Sequence, residues 1–286
     1  MLLTVVLLWS LNLIVTRYIL THGLLPLSYA TVRYACAAAV FVAITLVIER
    51  ALRVERRHVP LLAIAAVMLW LNQLSFVLAL EVTTASTMAL LLGAIPVFAG
   101  IYGLVLGTER ATPRFWLAAS MSFAGVALVA AGSRGELSGD LRGILLGLAT
   151  AATWAAYSVA VAPLMEAYSP SRMSAVVLPA AWVGIALTGL TQTADQDWDV
   201  AWEIWPLLVF ATLGPLVVTN VLWFRSIHRI GVNKPVLAAN LQPFVAAVLG
   251  VLLLSESLGL LQIAGGLLIG VGLLVARRRP VPAEAA

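Results

Sequence analysis

Blocks of about 20 apolar residues recur along this chain, separated by short stretches that carry most of its charge, and this pattern limits what it can fold into. A block of that length crosses a bilayer core roughly 30 Å thick as a helix. Hydrocarbon offers no water to stray backbone groups, so each block must satisfy its own hydrogen bonds. Composition agrees: 62% of the 286 residues are hydrophobic and 10% are charged. A soluble domain carries roughly 25% charged residues. Too little charge is left to coat a surface in water, so the chain reads as an all-α integral membrane protein.

Cutting at charged, Gly/Pro-rich or Asn/Asp-rich breaks gives ten transmembrane helices, over residues 2–20, 27–48, 60–80, 86–107, 115–132, 142–163, 172–192, 205–225, 234–254 and 258–276. Connections as tight as "EVTTA" (81–85) and "SES" (255–257) predict antiparallel neighbours. The opening "MLLTVVLLWSLNLIVTRY" has no basic leader and no small-residue cleavage site, so it is read as a retained first span. Its abrupt start leads us to expect a few native residues before it.

Orientation follows the Lys and Arg of the short loops. One alternate set of connections holds Arg50, Arg53, Arg56, Arg57, Arg110, Arg114, Arg172, Arg225, Arg229, Lys234 and the terminal Arg277, Arg278 and Arg279. The opposite set holds Arg134 and Arg142, with Arg17 and Arg33 near that face. The richer set belongs in the cytoplasm, which places both termini there. These charges account for a pI near 9.6 as topology signals, without nucleic acid as a partner. Cys36 is the sole cysteine, so no intrachain disulfide and no Cys/His metal cluster can form, and neither metal nor cofactor is expected.

The chain also repeats itself. Shifted by 147 positions, "LLGAIPVFAGIYGLVLGTER" (91–110) lies on "AANLQPFVAAVLGVLLLSES" (238–257). Pro96 meets Pro243, Gly103 meets Gly250, Glu109 meets Glu256 and, further on, Gly125 meets Gly272. Near the start of each half, Trp9 matches Trp154. Each half, 1–137 and 138–286, holds five spans. That number is odd, so the second half, with its short basic tail, enters the membrane upside down. Loop charges agree: 49–59 is basic, whereas its counterpart 193–204 carries Asp195, Asp197, Asp199 and Glu203. Two inverted five-helix repeats are a transporter design, with substrate held near the midplane between the halves.

Ten spans in inverted halves, "LLW" followed by Asn in the first span, and "P-x-x-x-x-x-x-G" followed by Glu before the last span of each half resemble EamA-type transporters of the drug/metabolite transporter (DMT) superfamily. The resemblance covers nearly the whole chain. Within the superfamily the sequence is similar to bacterial exporters of amino acids and related metabolites, including YddG-type exporters of aromatic amino acids. It implies a multi-pass, monomeric protein of the bacterial inner membrane, whose partners are the lipid bilayer and a small-molecule substrate. The implied activity is export of small zwitterionic or aromatic solutes by alternating access. "QPF" at 242–244 departs from the apolar–Pro–Val pattern more usual in the family.

Polar residues inside spans are costly in lipid and turn toward the bundle interior or a wet cavity. Trp9, Asn12 and Thr16 share one face of the first span, and Thr150, Trp154 and Tyr157 one face of the sixth. The third offers Trp70 and Gln73 on one face, with Asn72 and Ser75 on an adjacent one, while the eighth carries Thr212, Thr219, Trp223 and Ser226. In the ninth, Asn240 and Gln242 have Gly93 and Ile95 as counterparts, and they point about 200° apart. The expected substrate-binding set is therefore Trp9, Asn12, Trp70, Gln73, Tyr102, Trp154, Tyr157, Thr219, Trp223, Asn240 and Gln242. It would form aromatic walls with a few amides and hydroxyls to orient a small solute. The competing explanation for each residue is a belt aromatic or a helix–helix tie. Arg17 and Arg33, toward the outer ends of adjacent spans, are expected to snorkel to the headgroups, with attraction of a carboxylate or phosphate as the alternative.

Pro96 and Pro243 cannot donate to the carbonyls of Leu92 and Ala239, so the fourth and ninth spans are expected to bend there and act as hinges. Thr108 with Glu109, and Ser255 with Glu256, are expected to cap the helix that follows each. The pairs Gly103/Gly107, Gly143/Gly147 and Gly266/Gly270 predict close helix packing. All 13 acidic residues, with His22, His58 and His228, lie in loops, at span ends or in the tail. A proton relay then has no groups at mid-membrane, and the substrate's own gradient is the expected driving force. The same absence removes the acid, base or metal groups an enzyme needs. It also disfavours a multidrug or toxic-amine exporter, which would want an embedded anion. A lipid flippase is the remaining alternative.

Overall fold

The computed structural model describes residues 1–107, 113–132, 141–222, 226 and 241–276. Among these, every regular element is a helix. The first seven are α1 (Leu2–Thr21), α2 (Pro26–Ile48), α3 (Val59–Val82), α4 (Ala85–Leu92), α5 (Ile95–Val105), α6 (Pro113–Gly132) and α7 (Leu141–Val161). They are followed by α8 (Pro170–Thr188), α9 (Leu190–Asp195), α10 (Ile204–Thr212), α11 (Gln242–Leu254) and α12 (Leu260–Ala276). Of the ten expected spans, seven are described helical stretches long and apolar enough to cross a membrane alone. Three shorter apolar helices, Trp116–Val129, Phe244–Leu254 and Leu260–Gly272, fall in the fifth, ninth and tenth. Large apolar side chains such as Val47, Val105, Leu252 and Leu260 are exposed, as lipid contact requires.

Proline punctuates the bundle. α2, α3, α5, α8 and α11 each carry one in the first turn, where the missing N–H costs nothing and the fixed φ suits the helix. In the fourth span, α4 ends at Leu92, and Gly93 and Ala94 each donate to carbonyls three residues back at 3.0 Å. α5 then starts at Ile95 with Pro96 in its first turn. The expected bend is thus a break, because proline restarts the helix instead of kinking it. α11 likewise begins at Gln242 with Pro243 in its first turn, while Ala239 lies outside the described residues. A further irregularity falls in the eighth span. α10 passes into a π-helix over Leu213–Val218 before running on to Leu222. Pro215 is the cause: it has no N–H to give the carbonyl of Ala211, four residues back.

α12 lies along α6, α7 along α3, α8 along α2, and α11 along both α1 and α4. Glycine sets the closest of these approaches. A Cβ on Gly125 would fall 2.6 Å from the Gly265 carbonyl oxygen, so α6 and α12 meet backbone to backbone. Gly143 and Gly147 pack on Val82–Thr83 and Leu91, and Gly266 and Gly270 on Leu90 and Phe244, as their spacing predicts. Gly107 has open space around it; with φ at +70° it serves the chain's turn after α5 instead of a packing contact.

Charges fasten the helix ends. Where α2 finishes, Glu49 pairs with Arg172 at 2.9 Å and accepts from Ser169, the N-cap of α8. At the opposite end of the bundle, Arg17 of α1 donates to the carbonyls of Leu80 and Glu81, at 2.5 and 2.8 Å, closing the C-terminus of α3. Glu256 accepts from the N–H groups of Ala85 and Ser86, at 2.8 Å each, and so caps α4. Sequence reasoning had Ser255 and Glu256 cap the helix that follows them. Instead Ser255 adopts φ 54°, turning the carboxylate sideways, and Gln262 serves α12 by accepting from Gly259 N at 2.7 Å. Thr108 and Glu109 lie outside the described residues.

Candidate functional site

A cavity of about 130 Å³ lies at mid-length of α1, α3 and α7. Trp9 and Asn12 reach it from α1, Asn72, Gln73 and Phe76 from α3, and Thr150 and Trp154 from α7. Arg33 and Tyr34 of α2, with Pro215 and Leu216 of the π-helix, close its sides. Leu92 and Ile95, which flank the break between α4 and α5, complete the wall together with Gln242, the first residue of α11. α5 and α11, each with a proline in its first turn, therefore begin beside this space.

Arg33 supplies the charge. It stands seven residues into α2, about 10 Å along the helix axis, and is 2% exposed. Its Nε donates to the Ala211 carbonyl at 3.1 Å and its Nη2 to Asn12 Oδ1 at 2.9 Å. The guanidinium carbon lies 5.7 Å from the centroid of the Tyr29 ring, whose hydroxyl is 2.9 Å from Thr16 Oγ1. Pro215 cannot donate to the Ala211 carbonyl, and that carbonyl orients Arg33, so a proline in one span fixes a cation in another. The ion pairs among the described residues are Arg57–Glu55 and Arg172–Glu49, which leaves Arg33 without a carboxylate there. The expected snorkelling is corrected for Arg33, which turns inward and is buried, while Arg17 bonds the end of α3. Arg17 lines a separate cleft of about 410 Å³ at that end of the bundle, with Tyr18, Thr21, His22, Thr84, Leu253 and Glu256 among its neighbours. A cation at a helix centre costs about 2.5–3.5 kcal/mol on insertion scales, so Arg33 needs the polar contacts it finds.

Of the expected substrate-binding set, the cavity brings together Trp9, Asn12, Gln73, Trp154 and Gln242. Thr219 and Tyr157 stand behind it. Trp9 Nε1 donates to Thr219 Oγ1 at 3.0 Å, and the Thr219 hydroxyl bonds the Pro215 carbonyl. The Tyr157 ring packs on Trp154 with centroids 5.5 Å apart. Trp70 turns away. Its indole lies in a slot left by Gly184 of α8 and donates to Thr188 Oγ1 at 3.3 Å. Tyr102, half-buried on α5, is not among the lining residues. Trp223 and Asn240 lie outside the described residues.

Sequence reasoning left Asn72, Thr150 and Tyr34 out of the set. Asn72 Nδ2 donates to the Thr150 carbonyl at 2.9 Å, and Thr150 Oγ1 is 3.0 Å from Ser75 Oγ. Gln73 Nε2 donates to Asn72 Oδ1 at 3.3 Å, while Gln73 Oε1 is buried with no hydrogen-bond partner among the described residues. The signal that could have found Arg33 was Pro215, because a mid-span proline frees a carbonyl that a neighbouring cation can take.

Exposed apolar helices long enough to span a bilayer, packed around a small polar cavity, define a multi-pass membrane protein. The chain belongs to the EamA-like transporter family, which matches residues 1–131 and 141–278, and with it to the drug/metabolite transporter superfamily. Its relatives include "Uncharacterized transporter YwfM" of Bacillus subtilis, 27% identical over 84% of this chain and 81% of that one. "Uncharacterized transporter YdeK" of the same organism is 25% identical over 88% of each chain. An "Uncharacterized transporter" of Archaeoglobus fulgidus is 25% identical over 76% of this chain and 75% of its own. A solved structure described only as "Crystal structure of protein" shares the fold, with a TM-score of 0.67 and 20% identity over 96% of this chain and 95% of that one. The role of the chain is thus transport, and its bacterial relatives agree with an inner-membrane location.

Proposed function

We propose that this protein exports small metabolites, amino acids first among them, by alternating access. Both termini lie in the cytoplasm, and residues 1–137 and 138–286 form two inverted halves. The central cavity carries the reading. Trp9 and Trp154 give it aromatic walls, and Asn12, Asn72 and Gln73 give it amides. Drug-sized ligands occupy pockets of roughly 300–1,000 Å³. A space of about 130 Å³ that contains a guanidinium suits a compact solute and repels a cation, which argues against multidrug or toxic-amine export.

The helix pairings support the two-half arrangement. Exchanging the halves turns the third–sixth contact (α3 with α7) into the eighth–first (α10 with α1). It turns the first–ninth (α1 with α11) into the sixth–fourth (α7 with α4 and α5), and maps second–seventh, fourth–ninth and fifth–tenth onto themselves. The first turns of α5 and α11, which hold Pro96 and Pro243, border the cavity, where a transporter of this design needs its hinges.

Counterflow in proteoliposomes tests the proposal. A labelled panel of aliphatic and aromatic amino acids, a lipophilic cation and a nucleoside is offered to vesicles loaded with the same unlabelled solute. Accumulation of small amino acids is the expected result. Accumulation of the cation alone overturns the reading.

A further inference from the structure

Among the described residues that line the central cavity, one side chain is charged. Arg33 brings a full positive charge to it, almost wholly buried. No carboxylate pairs with Arg33 among the described residues, and all 13 acidic residues of the sequence fall in loops, at span ends or in the tail. Arg33 uses Nε and Nη2 on Ala211 and Asn12, while Nη1 has no hydrogen-bond partner among the described residues.

A buried guanidinium held in place but left without an anion is half of a recognition pair. We infer that the solute carries a carboxylate, which provides the counter-charge of Arg33 by accepting from its unused N–H groups. The inference rests on the transport reading and narrows its substrate. The second orphan group, Gln73 Oε1, is an acceptor and belongs to the other pole of the same solute, an ammonium. An α-amino acid presents both poles. An amine lacks the first, a hydroxy acid lacks the second, and a nucleoside lacks both. Arg33 is thus the specificity-determining residue, and Asn12 and Pro215 are positioning residues that aim it.

The test uses the full chain in proteoliposomes loaded with unlabelled alanine, following labelled alanine under competition from alanine, lactate, alaninamide and inorganic phosphate. Alanine should compete best and lactate next. Alaninamide, which keeps the ammonium but loses the carboxylate, should compete about tenfold more weakly or worse than alanine. Arg33→Gln should erase the difference between alanine and alaninamide, and Arg33→Lys should restore part of it. Arg33 also ties α2 to α1 and α10, so a second readout uses wild-type protein in detergent. There alanine and lactate should raise the thermal midpoint and alaninamide should not.

Alaninamide matching alanine in both assays overturns the inference and leaves amino-acid transport standing. Competition by phosphate but not by lactate overturns the carboxylate assignment. A failure of every amino acid to exchange defeats the transport reading instead. In that case protection by lactate supports an anion site at Arg33, and absence of any protection removes it.

Discussion

Glu256 and Arg33 show how far a side chain's role can lie from its neighbours in sequence. Glu256 occupies the position matched by Glu109, and the local rule for a carboxylate in a tight turn assigns it to the next helix. It reaches α4 instead, because Ser255 in the left-handed region swings it across the bundle. Glu256→Ala removes two charge-assisted bonds to backbone N–H groups, and the expected cost is about 1–2 kcal/mol, since the residue is only partly buried. Thermal unfolding in detergent should show a lowered midpoint, with Glu256→Gln losing less. An unchanged midpoint for the alanine variant would mean that this cap contributes nothing. The polar inventory of the cavity was legible residue by residue, since mid-span Asn, Gln and Trp have few other places to go. Which of two adjacent faces turns inward was not: Trp70 and Gln73 share a face by spacing, yet Gly184 draws the indole away.

Among the elements, spans were legible because a bilayer demands long apolar blocks and places charge at their ends. The break in the fourth span was legible from Pro96, which recurs in the other half as Pro243. Pro215 has no such partner, and the π-helix it causes went unread, together with the carbonyl that aims Arg33. Pro215→Ala gives that position an N–H able to reach Ala211 in ordinary α-helical register. The guanidinium must then share or lose its anchor. Losing a hydrogen bond to a charged group is worth about 1.5 kcal/mol, so the KM for alanine should rise roughly tenfold while the thermal midpoint holds or increases. A KM unchanged in counterflow would dissociate Pro215 from the placing of Arg33.

For the whole molecule, the proposed cycle requires the end of the bundle near Arg17 and Glu256 to open and close. Thr21 of α1 and Leu253 of α11 line the cleft there from opposite halves. In a Cys36→Ala background, joining Thr21→Cys to Leu253→Cys with a short bis-maleimide should abolish counterflow, whereas each single variant should transport normally after the same treatment. Full transport in the joined protein would show that this end stays still throughout the cycle. The buried guanidinium also bears on the return stroke. A cation that takes its counter-charge from the cargo is bare whenever the cavity is empty, and reorienting it bare across a low-dielectric interior is slow. If Arg33 draws its counter-charge from the cargo as proposed, the loaded carrier should turn over faster than the empty one, so one-for-one exchange should outpace net efflux and the far side's supply of cargo should govern how quickly the near side is drained.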